Sequence, residues 1–217
     1  IAHMTILELS RHQPGFEHLV YASSSSVYGG NKKLPFSVDD RTDSPVSLYA
    51  ATKLANEHMS YSYAHLYGMP QTGLRFFTVY GPWGRPDMAM YIFADAIMNG
   101  RPIEVFNHGD MKRDFTFVDD IVTGVVAAHD NPPTTSDGAP HRVYNIGNHR
   151  SEPLMRLIEI LENALGRKAE VLMKPMQLGD VKESFADIDA IRNDLGFEPT
   201  TPIDVGVPKF VEWFKAY

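Results

Sequence analysis

A chain of 217 residues with 43% hydrophobic content can bury a sizeable core, as one large domain or two small ones. Its 20 basic and 27 acidic residues give a formal charge of -7, with no arginine-rich run and no basic helix face, so no nucleic-acid partner is expected. The absence of cysteine excludes disulfides and thiolate metal sites, and no apolar run is long enough for a membrane span.

The chain opens in helical pattern, "IAHMTILELSRH", with Ile1, Met4, Ile6 and Leu7 expected on one apolar side. "FEHLVYASSSSVYG" then reads as a buried strand delivering a hydroxyl-rich loop. The stretch "SPVSLYAATKLANEHMSYSYAHLYG" has helical spacing, a proline near its start and Gly68 just past its end. "QTGLRFFTVYGP" reads as a second buried strand, followed by a helix over roughly residues 88 to 99, a strand in "PIEVF", and strand and helix in "RDFTFVDDIVTGVVAAHD". The turn composition of "NPPTTSDGAPH" marks a surface loop. Then come "RVYNIG" as a strand, "EPLMRLIEILENALG" as an amphipathic helix, "AEVLMK" as a strand and "DVGVPKFVEWFKAY" as a final helix. Strands alternating with helices, and apolar along their length, indicate an α/β fold with a mostly parallel sheet.

In such a sheet ligands bind outside the carboxyl ends of the strands. That rule singles out "SSSS", "TVYGPWGRPD" and "NHGDMKRD", all rich in hydroxyls, glycine or charge. Within the second helix, Tyr49 and Lys53 stand four residues apart, one turn along the same face. A free phenol titrates near ~10 and is a poor base at neutral pH, and an ammonium held nearby stabilises the phenolate. A serine hydroxyl from the strand-end loop could relay a proton to it. His58 and His65 share a helix at a spacing of seven without a third ligand, so no metal site is expected. Asp119 and Asp120 sit at a helix start, where acidic side chains complement the dipole. Tyr61, Tyr63 and Tyr67 read as packing or subunit contact.

The ordered set "YASSSSVYG", "SLYAATKLANE", "LRFFTVYGP" and "RDFTFVDDI" resembles the extended short-chain dehydrogenase/reductases, specifically their NAD-dependent nucleotide-sugar epimerases. "GPWGRPDMAMYIF" with "FNHGDMKRDF" is similar to UDP-glucuronate 4-epimerases, and Thr78 stands where glucose epimerases usually carry asparagine. The resemblance implies a doubly wound, Rossmann-type parallel sheet with a smaller mixed α/β substrate domain. Residues 1–80 and 115–148 would belong to the NAD-binding part, and 81–114 and 149–217 to the UDP-sugar-binding part. Family members open with a glycine-rich dinucleotide turn, and neither G-x-x-G-x-x-G nor G-x-G-x-x-G occurs in this sequence. The resemblance therefore implies that about one hundred residues, the first half of the doubly wound sheet, lie outside this chain.

Residue by residue, the resemblance makes Tyr49 the base at the sugar 4-hydroxyl, with Lys53 supporting it and bonding the nicotinamide ribose. Ser24 and Ser26 become alternative partners of the 4-oxygen, and Ala22, Ser23 and Phe77 join Tyr49 and Lys53 around NAD. Hydride would pass from carbon 4 to NAD and return to the other face of the 4-keto sugar. Ser25, Thr78 and Arg85 would face the sugar carboxylate, and Met88, Ala89 and Met90 the uracil or sugar. Arg113 matches a diphosphate-binding arginine and Asp180 a ribose-binding acid, while Gln177 replaces a second arginine of the glucose epimerases. A cytoplasmic homodimer through helices 1–12 and 46–66 is implied as well. The other readings are a UDP-glucuronate decarboxylase, an epimerase of a neutral UDP-sugar, and a catalytically inert UDP-sugar-binding or interaction domain.

Overall fold

The computed structural model describes residues 1–135 and 138–217. In chain order its elements are helix α1 (Ala2–His12), strand β1 (Leu19–Ser24), a 3-10 helix (Ser25–Tyr28), α2 (Leu48–Tyr67), β2 (Gln71–Phe76), β3 (Thr78–Tyr80), α3 (Ala89–Met98) and β4 (Ile103–Val105). A second 3-10 helix (Phe106–Gly109) precedes β5 (Lys112–Arg113), β6 (Phe115–Phe117), α4 (Val118–Asp130), β7 (His141–Ile146), β8 (Glu152–Pro153), α5 (Leu154–Leu165) and β9 (Val171–Met173). β10 (Glu183–Ser184), α6 (Asp189–Leu195) and α7 (Ile203–Ala216) complete the chain. The loop read at "NPPTTSDGAPH" contains Ser136 and Asp137, which lie outside the described residues.

The chain forms two compact units. The first comprises residues 1–77, 122–146 and 186–198, the second residues 78–121, 147–185 and 199–217. These boundaries differ from the expected division at residues 78–80, 115–121, 147–148 and 186–198. Residues 115–121 lie in the second unit, because β6 pairs with β3 there, and residues 186–198 lie in the first, where α6 packs on β7.

The first unit is built on a parallel sheet of order β1-β2-β7, in register from Leu19 opposite Gln71 and Gln71 opposite His141. Residues 71–75 of the central strand are all buried, as expected of a strand covered on both faces. Gly73 interrupts the apolar run because the Tyr21 ring lies against it, where a Cβ would stand 2.6 Å from the ring. The Ser47 hydroxyl accepts the Ala50 N–H at 3.1 Å to start α2, and Gly68 ends it in the left-handed region, φ 63°. The buried stripe of α2 runs Ala50, Leu54, Glu57, Ser60 and Ala64, a helical spacing that includes two polar residues. α1 departs from its expected face: Leu7 alone of the four is buried, and Ile1, Met4 and Ile6 are exposed.

The apolar run "QTGLRFFTVYGP" is two strands rather than one. At its break the Phe77 N–H bonds Ile146 in the first unit, and the next residue, Thr78, bonds Asp114 in the second. The second unit holds the parallel pairs β3–β6 and β4–β9 and a small sheet β10-β5-β8, in which β5 and β8 are antiparallel. Its core is made by Phe93 and Ile97 of α3, Leu157 and Leu161 of α5, Val207 and Phe210 of α7, and Phe115 and Phe117 of β6. The two aspartates that open α4 differ: Asp119 is exposed, whereas Asp120 is buried and accepts the Thr201 N–H at 2.9 Å.

Candidate active site

In the first unit the carboxyl end of β1 leads directly into the 3-10 helix. The Ser24 hydroxyl caps that helix, accepting from the Ser26 N–H at 3.2 Å and from the Ser26 hydroxyl at 3.0 Å. The two serines predicted as alternatives are therefore brought into one hydrogen-bonded pair. Tyr49 lies in the first turn of α2 and is 55% exposed. Lys53, one turn later, holds its ammonium 5.7 Å from the centre of that ring and donates to the Ala22 carbonyl at 2.9 Å. This bond ties α2 to the end of β1. A phenolate beside an ammonium, with paired hydroxyls at the strand end, is a group set that can accept and return a proton.

The side chains of the other residues expected around NAD divide. Ala22 is exposed. Ser23 and Phe77 are turned inward: Ser23 donates its hydroxyl to Glu57, and the Phe77 ring lies 6.3 Å from that of Phe36. Strand alternation accounts for Ser23, since consecutive residues of β1 face opposite sides.

Beneath these residues lies a polar network that the sequence reading missed. Arg75, next to the carboxyl end of β2, donates to both carboxylate oxygens of Glu57 at 2.9 and 2.8 Å, and both side chains are buried. Arg75 also donates to the Tyr28 hydroxyl at 2.9 Å, and Tyr28 donates to Asn145 at 2.6 Å. The signal was available, because an arginine inside a strand read as buried requires a buried partner.

In the second unit a cavity of about 840 Å³ is lined by Thr78, Ala89, Arg113, Gln177 and Asp180 from the expected substrate set, with apolar walls that include Ile92 and Phe106. Arg113 donates to Asp180 at 2.7 Å and to the Lys112 and Lys182 carbonyls at 2.8 and 3.2 Å. Such a pair presents both a cation and an acceptor to a ligand. Arg85 does not line this cavity. It is exposed, ion-paired with Asp87 at 3.2 Å and donating to the Met88 sulfur, although its neighbours Pro86 and Asp87 are wall residues. Its loop also carries Trp83 in the left-handed region, φ 62°, with rings of Trp213 and Tyr217 at 5.5 and 5.0 Å. Met90 is a correction: the turn of α3 carries it inward, and it is packed in the core of the unit.

Among the described residues no cluster of three or more metal-ligating side chains exists, and no helix is long and apolar enough to cross a membrane. His58 and His65 are exposed, the latter stacked on Tyr61. Tyr63 donates to Glu8 of α1, and its ring meets Tyr67 edge-on at 5.2 Å.

Comparison with known proteins places these features in context. The family described as "NAD dependent epimerase/dehydratase family" matches residues 1–147. Protein CapI of Staphylococcus aureus is 49% identical, the match covering 100% of this chain and 68% of that protein. A probable UDP-glucuronate 4-epimerase of Rhizobium meliloti is also 49% identical, over 91% of this chain and 62% of its own length. The crystal structure of a UDP-glucuronic acid 4-epimerase from Bacillus cereus, in complex with UDP-glucuronic acid and NAD, superposes with a TM-score of 0.89 at 31% identity. That likeness covers 99% of this chain and 66% of the other, so the present chain spans about two thirds of the relatives it matches.

Proposed function

The chain belongs to the NAD dependent epimerase/dehydratase family, and from that premise we propose that it carries the proton-transfer and UDP-sugar-binding groups of a UDP-glucuronate 4-epimerase. The reaction interconverts UDP-glucuronate and UDP-galacturonate through a 4-keto sugar. The observation that carries the proposal is the tie from Lys53 to the Ala22 carbonyl, which fixes the Tyr49 turn of α2 against the hydroxyl-bearing end of β1.

The group set at that strand end fits NAD chemically: a phenol and an ammonium beside the exposed Ala22 suit a ribose with its two hydroxyls. Tyr49 and Lys53 would hold the cofactor, which when bound removes hydrogen with its electron pair from carbon 4 and returns it. Tyr49, as its phenolate, accepts the proton of the sugar 4-hydroxyl as the carbon–oxygen double bond forms, becoming the phenol, and gives it back when that bond is reduced. Lys53 keeps a positive charge beside the phenol through both steps. Ser24 and Ser26, already bonded to each other, supply the donor that holds the 4-oxygen. Arg113 meets the diphosphate and Asp180 accepts from a ribose hydroxyl, with Gln177 on the same cavity wall.

A ketone at carbon 4 is β to the sugar carboxylate, so the intermediate can lose carbon dioxide. Retention requires the carboxylate to be held where the breaking bond cannot align with the carbonyl. We assign this to Arg85, exchanging Asp87 for the sugar carboxylate, together with Thr78 and Ser25. Met88 and Ala89 flank the sugar nucleotide. The reading includes a cytoplasmic location and a homodimer through residues 1–12 and 46–66, supported by the exposed Met4, Ile6 and Leu9 of α1 and Leu66 of α2. Proton NMR of the products formed from UDP-glucuronate and NAD tests the function. UDP-galacturonate without carbon dioxide release is expected, and a pentose product overturns the proposal.

A further inference from the structure

The Glu57–Arg75 pair takes no part in the chemistry above, and its burial calls for a reason. Glu57 and Arg75 are 6% and 5% exposed, and Arg75 grips both carboxylate oxygens. A buried ion pair is weak evidence for stability, because well-packed apolar side chains of similar volume hold a core as well or better. What the pair supplies is fixed geometry, since a guanidinium fork accepts a carboxylate in one plane.

The positions that share this geometry are specific. Glu57 lies one turn beyond Lys53 on α2, itself one turn beyond Tyr49. The hydroxyl that Glu57 receives comes from Ser23, the residue immediately before Ser24 on β1. Arg75 continues the network to Tyr28, the last residue of the 3-10 helix that carries Ser26. Tyr28 is in turn fixed by Asn145 of β7, whose amide donates to the Phe36 and Asp187 carbonyls at 2.7 and 3.1 Å. One carboxylate thus grips the helix that bears the phenol and ammonium and the strand that bears the hydroxyls, from below.

We propose that Glu57, oriented by Arg75, is a positioning residue that sets the register of the Tyr49 and Lys53 face of α2 against Ser24 and Ser26. The proposal rests on the functional reading above for what those four residues do, and on the network alone for how they are held. The Lys53 bond to Ala22 fastens the upper edge of the same joint, and the Glu57 bond from Ser23 fastens its floor.

The test replaces the network with apolar side chains: Ser23→Ala, Glu57→Leu and Arg75→Met together, which leaves Tyr28 bonded to Asn145. The thermal midpoint is expected to stay within a few degrees of the unmodified protein. With UDP-glucuronate and NAD, kcat is expected to fall roughly ten- to a hundredfold while KM for the UDP-sugar changes little, since misplacement by about 1 Å is enough for such a loss. Amide hydrogen exchange at Ser26 and Gly29, whose N–H groups bond the Ser24 hydroxyl and the Ser26 carbonyl, should accelerate. Unchanged kcat, or unchanged exchange at both amides, overturns the proposal. If the triple variant does not fold, Arg75→Lys keeps the charge and removes the fork. The same exchange and kcat effects are expected of it, and wild-type behaviour in both overturns the proposal. With the glycine-rich first half of the cofactor-binding sheet present, an unmodified protein that does not turn over UDP-glucuronate refutes the functional reading instead, and the exchange measurement then decides the positioning role by itself.

Discussion

Acid should weaken this fold through His141 in a way that can be isolated. The imidazole opens β7, and its Nε2 lies 2.9 Å from the Tyr21 hydroxyl with the Tyr61 ring edge-on at 5.7 Å. Burial pushes its pKa down from 6.5 to about 4, the charge of Glu57 opposing this and those of Arg142 and Arg75 adding to it. Burial pushes the Tyr21 phenol upward, so Tyr21 stays protonated and donates to the neutral ring. A base whose folded pKa is depressed is protonated first in the unfolded chain, so its contribution is complete above 6.5 and is lost as pH falls towards 4. The full loss is on the order of 3 kcal/mol, most of it realised by about pH 4.5. Urea unfolding of the wild type and of His141→Gln, at about pH 7.5, 5.5 and 4.5, reads this directly. Near pH 7.5 the variant should be the less stable, and by about pH 4.5 the gap should shrink by roughly 2–3 kcal/mol or invert. His3 and His18, which burial also lowers, titrate in both proteins and cancel. A stability difference that stays constant with pH refutes the argument.

Other outcomes follow from the site and the core. Tyr49→Phe should reduce turnover by at least about a thousandfold, within the range of general acid–base catalysis, while calorimetry finds UDP-sugar binding nearly unchanged; substantial residual activity would remove Tyr49 from the mechanism. Arg85→Ala should weaken UDP-glucuronate roughly tenfold and UDP-glucose little, as the loss of a charged hydrogen bond requires. Equal losses for both ligands would free Arg85 from the carboxylate. Gly206→Ala would press a methyl against the Tyr80 hydroxyl and to within 2.9 Å of the Phe117 ring, lowering stability by about 1–3 kcal/mol in thermal unfolding. Adding Tyr80→Phe should recover part of that loss, and no recovery would point away from the Tyr80 contact.

Much of this architecture is legible in the sequence because its signals are local. Ser47 and Gly68 bound α2 through a side-chain cap and a left-handed glycine, and both effects need only neighbouring residues. The spacing of Tyr49 and Lys53 is likewise a property of one helix, and the structure keeps their side chains together. Where the reading failed, the deciding interaction lay far along the chain. The apolar run over residues 71–80 is broken into β2 and β3 because Ile146 and Asp114 supply successive backbone partners. Hydrophobicity alone placed Met4 and Ile6 with Leu7, and of the three only Leu7 is buried in the folded unit. Met90, grouped by adjacency with Met88 and Ala89, turns inward because consecutive helical residues point in different directions.

Local sequence is enough for the alternation of the longer strands and helices, the family, and the one-turn spacing of Tyr49 and Lys53, since these are carried by periodicity, caps and motifs a few residues long. Tertiary structure alone decided the company those groups keep. It paired Arg113 with Asp180 across 67 positions, joined Glu57 to Arg75 across 18, and laid Tyr21 against Gly73. A buried charge or a close backbone approach is paid for only when its partner arrives, and which partner arrives depends on the fold of the whole unit.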